Sequence, residues 1–123
     1  MSEAVLYVSA ALTGAWGVAH LFATRGVAAG FGEISADNRR VVIMEWIAEG
    51  VALISTAALV ALTTAIEPHS DLSSAVYGVA IGTLLTLAVV SLFTGFRIAF
   101  LPYRLCPFIF GLSALLIAIG AWA

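Results

Sequence analysis

The sequence is poor in charged side chains and contains no lysine. Charged residues make up only 10% of the 123 residues, and all five basic side chains are arginines. A soluble domain carries about 25% charged residues, so this chain lacks the polar surface that would keep it in water. Seven acidic residues outnumber the arginines and bring the net charge to −2. This balance excludes the basic patch of a nucleic-acid-binding protein, and the single cysteine, Cys106, excludes an internal disulfide.

Apolar residues are abundant instead: they make up 63% of the chain, and the mean hydropathy is +1.12. A helix crosses about 30 Å of hydrocarbon with about 20 residues. The chain is therefore predicted to be all-α, a single integral membrane domain over residues 1–123 that folds as an up-and-down four-helix bundle. Because basic residues and a clear cleavage site are missing around the first apolar run, we expect that run to be a permanent span. The predicted spans are Ala4 to Thr24, Val41 to Ile66, Ser74 to Phe96, and Leu105 to Trp122.

The connections between the spans contain residues that cap helices and arginines that indicate the orientation in the membrane. We expect the second helix to begin near Ser35, and Ser70 or Asp71 to cap the third, because these residues satisfy free backbone N–H groups. All five arginines lie in or beside the first and third connections. The positive-inside rule then places these two connections in the cytoplasm and both termini outside the cell membrane.

Two carboxylates, Glu45 and Glu49, lie inside the first half of the second span. They are four residues apart, so a helix places them on one face. A charged group at the centre of a membrane costs about 2.5 to 3.5 kcal/mol on insertion scales, and it usually faces a bundle interior, a partner or a cavity. This pair is the strongest functional indication in the sequence.

Other polar and aromatic side chains lie at a similar depth. His20 is five residues in from Arg25, as Glu45 is from Arg40. Helical spacing also gives each span one polar face, which we expect to point to the middle of the bundle. These faces hold Thr13, Trp16, Gly17, His20 and Thr24; Glu45, Glu49, Thr56 and Thr63; Thr83, Thr86, Thr94 and Arg97; and Cys106 and Ser113.

Each of these side chains has a structural and a functional interpretation. In the structural interpretation, Glu45 and Glu49 form ion pairs with Arg97 or Arg104, or one of them is protonated and bonds to a neighbouring helix. In the functional interpretation, they line a polar pocket with His20 as their partner. Tryptophans on the same faces either fill bundle volume or flank a flat ligand. Metal-binding bundles carry Glu-x-x-His on two helices, a spacing that this sequence lacks, so no metal site is predicted.

Two short stretches resemble a known family. Residues 17–22, GVAHLF, resemble the Gly-x-x-His-Phe stretch of the DoxX-like small membrane proteins, and residues 45–53, EWIAEGVAL, resemble their Glu-Leu-x-Gly-Gly-x-Ala-Leu stretch. Glu49 stands where that family usually has a small residue, and the run Pro102 to Pro107 is not part of the pattern. The resemblance implies a four-helix fold. It also implies a quinone or redox partner, because some members are membrane subunits of sulfur-compound oxidation.

The sequence predicts binding of a lipophilic ligand, either a quinone, a lipid or a terpenoid, in the cytoplasmic half of the bundle. The protein would act as a homo-oligomer or as a subunit of a membrane redox complex, and no cofactor is identified. The residues expected to contact the ligand are Trp16, His20, Glu45, Trp46, Glu49, Arg97, Tyr103, Arg104 and Cys106.

Two alternatives stay open. One is an intramembrane enzyme of the isomerase, epoxide hydrolase or cyclase type, in which Glu45 and Glu49 act as acid and base and His20 orients one of them. The other is a proton-coupled transporter that uses Glu49 as its relay. Whether the protein catalyses a reaction is not decided by the sequence.

Overall fold

The computed structural model describes residues 1–123. It contains five α-helices and one short 3-10 helix, and no strands. Four of the helices are long and apolar enough to cross a membrane, which confirms the all-α class and the number of long helices. The helices are α1 (Glu3–Phe22), α2 (Thr24–Gly30), α3 (Ala36–Ile66), α4 (Asp71–Phe93) and α5 (Leu101–Trp122), with the 3-10 helix at Gly95–Arg97 between α4 and α5.

Serine side chains begin three of the long helices. The hydroxyl of Ser2 accepts a hydrogen bond from the Val5 N–H at 3.4 Å, and those of Ser35 and Ser70 each accept one at 3.1 Å from the N–H three residues on. Each bond satisfies a backbone donor that the first turn leaves free. The predicted starts at Ser35 and Ser70 are confirmed.

The helix bounds differ from the predicted apolar spans. Helix α3 begins at Ala36, as the Ser35 cap predicts, and α5 begins at Leu101, with Pro102 in its first turn. Helix α4 begins and ends three residues earlier than the predicted span. The connection between α1 and α3 also contains the short helix α2. Its sequence, TRGVAAG, includes two glycines, which are poor helix formers, so it carried no helical signal.

The four long helices form a ring in the order α3, α1, α5, α4. Helix α1 packs against both α3 and α5, and α5 packs against α4, whereas α3 and α4 make few contacts with each other. Neighbours are antiparallel. For example, the Ser2 N–H donates to the Gly120 carbonyl at 2.7 Å, and the Ser9 hydroxyl donates to the Ser113 carbonyl at 2.8 Å.

Helices α1 and α3 approach each other most closely at two glycines. A β-carbon at Gly17 would lie 3.0 Å from the Gly50 carbonyl oxygen and 3.0 Å from the Leu53 β-carbon. Small residues permit such close packing between helices whose outer surfaces are apolar. The core continues on either side of this contact, with Leu6, Leu53, Tyr77, Leu84, Phe110 and Ile117 among its buried members.

Replacement of Gly17 by alanine should destabilise the bundle, because the new methyl group meets backbone atoms that cannot move away easily. We expect the free energy of unfolding to fall by about 1 to 3 kcal/mol, the usual cost of overpacking. The matched control is Gly78→Ala, whose β-carbon would meet no atom within 4 Å. Thermal unfolding followed by circular dichroism in detergent compares the two. Equal stability of Gly17→Ala and wild type would show that the close approach is not required.

Candidate functional site

His20 lies in the last turn of α1 and is buried, with 7% of its surface exposed. The indole of Trp46 stacks on its imidazole, with ring centroids 3.7 Å apart and an interplanar angle of 11°. The same indole donates from Nε1 to the His20 carbonyl oxygen at 2.6 Å. Trp46 therefore holds both the side chain and the backbone of His20.

Glu49 is the second partner of His20. Its Oε2 lies 3.2 Å from His20 Nε2, within ion-pair distance, but the two groups are not aligned for a hydrogen bond and Nε2 has no hydrogen-bond partner. A buried polar atom without a partner costs about 1 to 3 kcal/mol. Glu49 itself is 38% exposed. The imidazole is thus buried and the carboxylate reaches open space.

That open space is a cleft between α3 and α4, at the end of both helices that lies away from their short connection, and α2 and the connection into α5 also line it. It has a volume of about 1230 Å³ and is lined mainly by apolar side chains. Glu45, Trp46 and Glu49 line it from α3, and Thr83 and Leu87 line it from α4. The cleft exists because α3 and α4 make few contacts with each other.

A smaller cavity of about 400 Å³ adjoins the cleft on the α1 side. Trp16, His20 and Cys106 line this cavity, while Trp46 and Tyr103 line both spaces. The ring of Tyr103 meets the Trp46 indole edge-on, with centroids 5.8 Å apart. An aromatic partition thus separates an open compartment that carries carboxylates from an inner apolar one.

Seven of the nine predicted ligand-contacting residues line one of these two spaces: Trp16, His20, Glu45, Trp46, Glu49, Tyr103 and Cys106. The other two do not. Arg97 is exposed, and the guanidinium of Arg104 lies over the Phe96 ring at 5.2 Å. Neither arginine forms an ion pair with Glu45 or Glu49, so that structural alternative is wrong, and a role for these arginines in ligand contact stays a prediction.

The polar face predicted for the third span does not point to the core, although Thr83 lines the cleft. Thr83, Thr86 and Thr94 are exposed, and α4 buries Ser73, Tyr77, Ala80 and Leu84 instead. The hydroxyls of Thr86 and Thr94 donate to carbonyls four residues earlier, at 2.8 and 2.7 Å. A threonine hydroxyl can thus find its hydrogen-bond acceptor on its own helix. The position of a threonine therefore does not show which face of the helix meets a neighbour.

The second span shows a similar difference. Its buried residues are Gly50, Leu53, Ala57, Val60 and Thr64, so the bundle core meets a different face from the one that holds Glu45 and Glu49. Glu45 is exposed to the cleft. The carboxylates thus face a cavity, one of the three surroundings expected for them, and not the core.

Sequence reasoning missed three aromatic side chains on the rim of the cleft, Phe22, Phe31 and Phe100. All three lie at helix ends or in connections and are exposed. The available signal was the occurrence of large apolar rings beside polar, arginine-rich connections, where they have no core to fill.

No protein-family model, curated protein or solved structure matches this chain. The resemblance to the DoxX-like family therefore stays a prediction.

Replacement of Trp46 by phenylalanine should loosen His20. Phenylalanine keeps a ring that can stack on the imidazole but cannot donate to the His20 carbonyl, so we expect a loss of about 1 kcal/mol in the free energy of unfolding. The matched control is Trp122→Phe, at the exposed end of α5. Thermal unfolding in detergent distinguishes them. The proposed role of the indole hydrogen bond would be refuted if both variants unfolded at the same temperature as wild type.

Proposed function

We propose that this protein is a multi-pass membrane protein that binds a lipophilic ligand, such as a quinone, a lipid or a terpenoid, in the cleft between α3 and α4. The observation that carries the proposal is the composition of the cleft. Most of its lining is apolar or aromatic, and its few polar groups, Glu45, Glu49 and the adjacent His20, converge on one wall. Ligand sites have this composition, because apolar walls bind the body of a ligand and a few polar groups orient it.

The outer surface supports the membrane part of the proposal. Large apolar side chains cover α4, where Leu72 is 74% and Val79 is 70% exposed. Hydrocarbon, or a second protein in the membrane, would cover such a surface. The arginine distribution supports an orientation in which the cleft lies in the cytoplasmic half of the cell membrane. The same apolar surface is the basis for proposing a homo-oligomer or a larger membrane complex.

The orientation can be tested with single cysteines introduced into a Cys106→Ala background. A cysteine in place of Glu67, in the second connection, should react with a membrane-impermeant maleimide added to intact bacterial cells. A cysteine in place of Glu33, in the first connection, should react only after the cells are opened. The reverse labelling pattern would place the cleft in the outer half and refute the proposed orientation.

Ligand binding can be tested by native mass spectrometry of the protein purified in mild detergent, with extraction and identification of copurifying molecules. We expect a lipophilic molecule bound to wild type, reduced about fivefold or more in Glu49→Gln, because the amide cannot reproduce the carboxylate that faces the cleft and His20. Glu67→Gln is the matched control, since Glu67 is exposed outside the cleft. Equal amounts bound to wild type and Glu49→Gln, or nothing bound to either, would contradict the proposal.

A second candidate function, intramembrane acid–base catalysis, is favoured by one observation, the 3.2 Å separation of His20 Nε2 and Glu49 Oε2. A carboxylate and an imidazole this close can act as an acid–base pair once a bound substrate aligns them for a hydrogen bond. The copurified molecule distinguishes the two functions. An enzyme would carry product in wild type and unreacted substrate in Glu49→Gln, whereas a binding protein would carry the same molecule in both.

A further inference from the structure

We infer that the ligand is a lipophilic organic cation, such as an ammonium or phosphonium ion with large apolar substituents. This inference rests on the proposed function, because it specifies what the proposed cleft binds. It follows from three features of the cleft: two carboxylates line it, no arginine does, and aromatic rings surround it.

The cleft carries negative charge without a matching cation. Glu45 and Glu49 line it, and the lining contains no arginine. Glu45 forms no ion pair, and His20 is the only basic group that approaches Glu49. Even with His20 protonated, the lining carries one uncompensated carboxylate. An anionic ligand would be repelled by this charge.

Two arginines near this end of the molecule bond to other groups. Arg39 donates to the carbonyls of Ala28 and Gly32, at 3.2 and 3.1 Å, and Arg40 donates to Asp37 at 3.0 Å. No arginine lies within ion-pair distance of the Glu45 carboxylate. Because a carboxylate in low dielectric is costly unless it is paired, a cation bound in the cleft would supply the missing charge.

The aromatic lining suits the same class of ligand. Phe22, Phe31, Trp46, Phe100 and Tyr103 all border the cleft. The face of an aromatic ring attracts a cation within about 6 Å of its centroid, and the attraction is strongest where water is excluded. Rings and carboxylates together favour a ligand that is positively charged and apolar at once. Neither would favour a phosphate or a fatty-acid headgroup.

Two ions of nearly the same shape and opposite charge provide the probe: tetraphenylphosphonium and tetraphenylborate. Binding to the purified protein in dodecyl maltoside is measured by equilibrium dialysis, with protein-free micelles subtracted. We expect the phosphonium ion to bind at least tenfold more tightly than the borate. Glu45→Gln and Glu49→Gln should each weaken phosphonium binding about fivefold, and Glu67→Gln should leave it unchanged. Circular dichroism confirms that each variant is folded.

Equal affinity for the two ions, tighter binding of the borate, or phosphonium binding that is the same in all three glutamine variants would overturn the inference. A Trp46→Leu variant separates this failure from failure of the proposed function. If both ions bind equally and both lose affinity in Trp46→Leu, the lipophile site stands and only its charge preference is wrong. If neither ion binds above the micelle background, the cation inference is wrong, and copurification of a neutral lipophile alone decides the proposed function.

Discussion

The contact between α1 and α3 at Gly17 and Gly50 is the constraint on which the rest of the site depends. It brings the two helix backbones so close that a single β-carbon at Gly17 would lie 3.0 Å from a carbonyl oxygen. Trp46 and Glu49 lie within about one helical turn of Gly50, on the side that meets His20. The close backbone contact is therefore what allows an indole to stack on the imidazole and a carboxylate to reach its Nε2.

The same packing explains why a cleft exists at all. Helix α1 is shared between α3 and α5, and α5 is shared between α1 and α4, so α3 and α4 form the one loosely packed side of the ring. Near their connection, the Thr64 and Tyr77 hydroxyls hold these two helices together at 3.0 Å. Away from the connection no such bond joins them, and the space between them is lined by Glu45 and Glu49. The site lies where the bundle has its weakest internal contact.

Much of this architecture could be predicted from the sequence, and the exceptions have physical reasons. Length and hydropathy predicted four long helices, and cap chemistry predicted their starts at Ser35 and Ser70. Counting residues from the arginines placed His20 and the glutamates at one depth, and the structure joins His20 to Glu49. The space between α3 and α4, in contrast, depends on which pairs of helices pack tightly, and no single helix carries that information.

The position of a polar side chain in the sequence predicts its surroundings only when the side chain cannot find a hydrogen-bond partner on its own helix. A threonine hydroxyl can donate to a carbonyl on its own helix, as Thr86 does, so it costs little on any face and its spacing is uninformative. An ionised carboxylate has only acceptors and cannot be satisfied by the carbonyls of its helix. It needs a donor, a cation or a cavity. This is why the glutamates face a cavity, while Thr86 and Thr94 of α4 lie on a face that is neither buried nor part of the cleft.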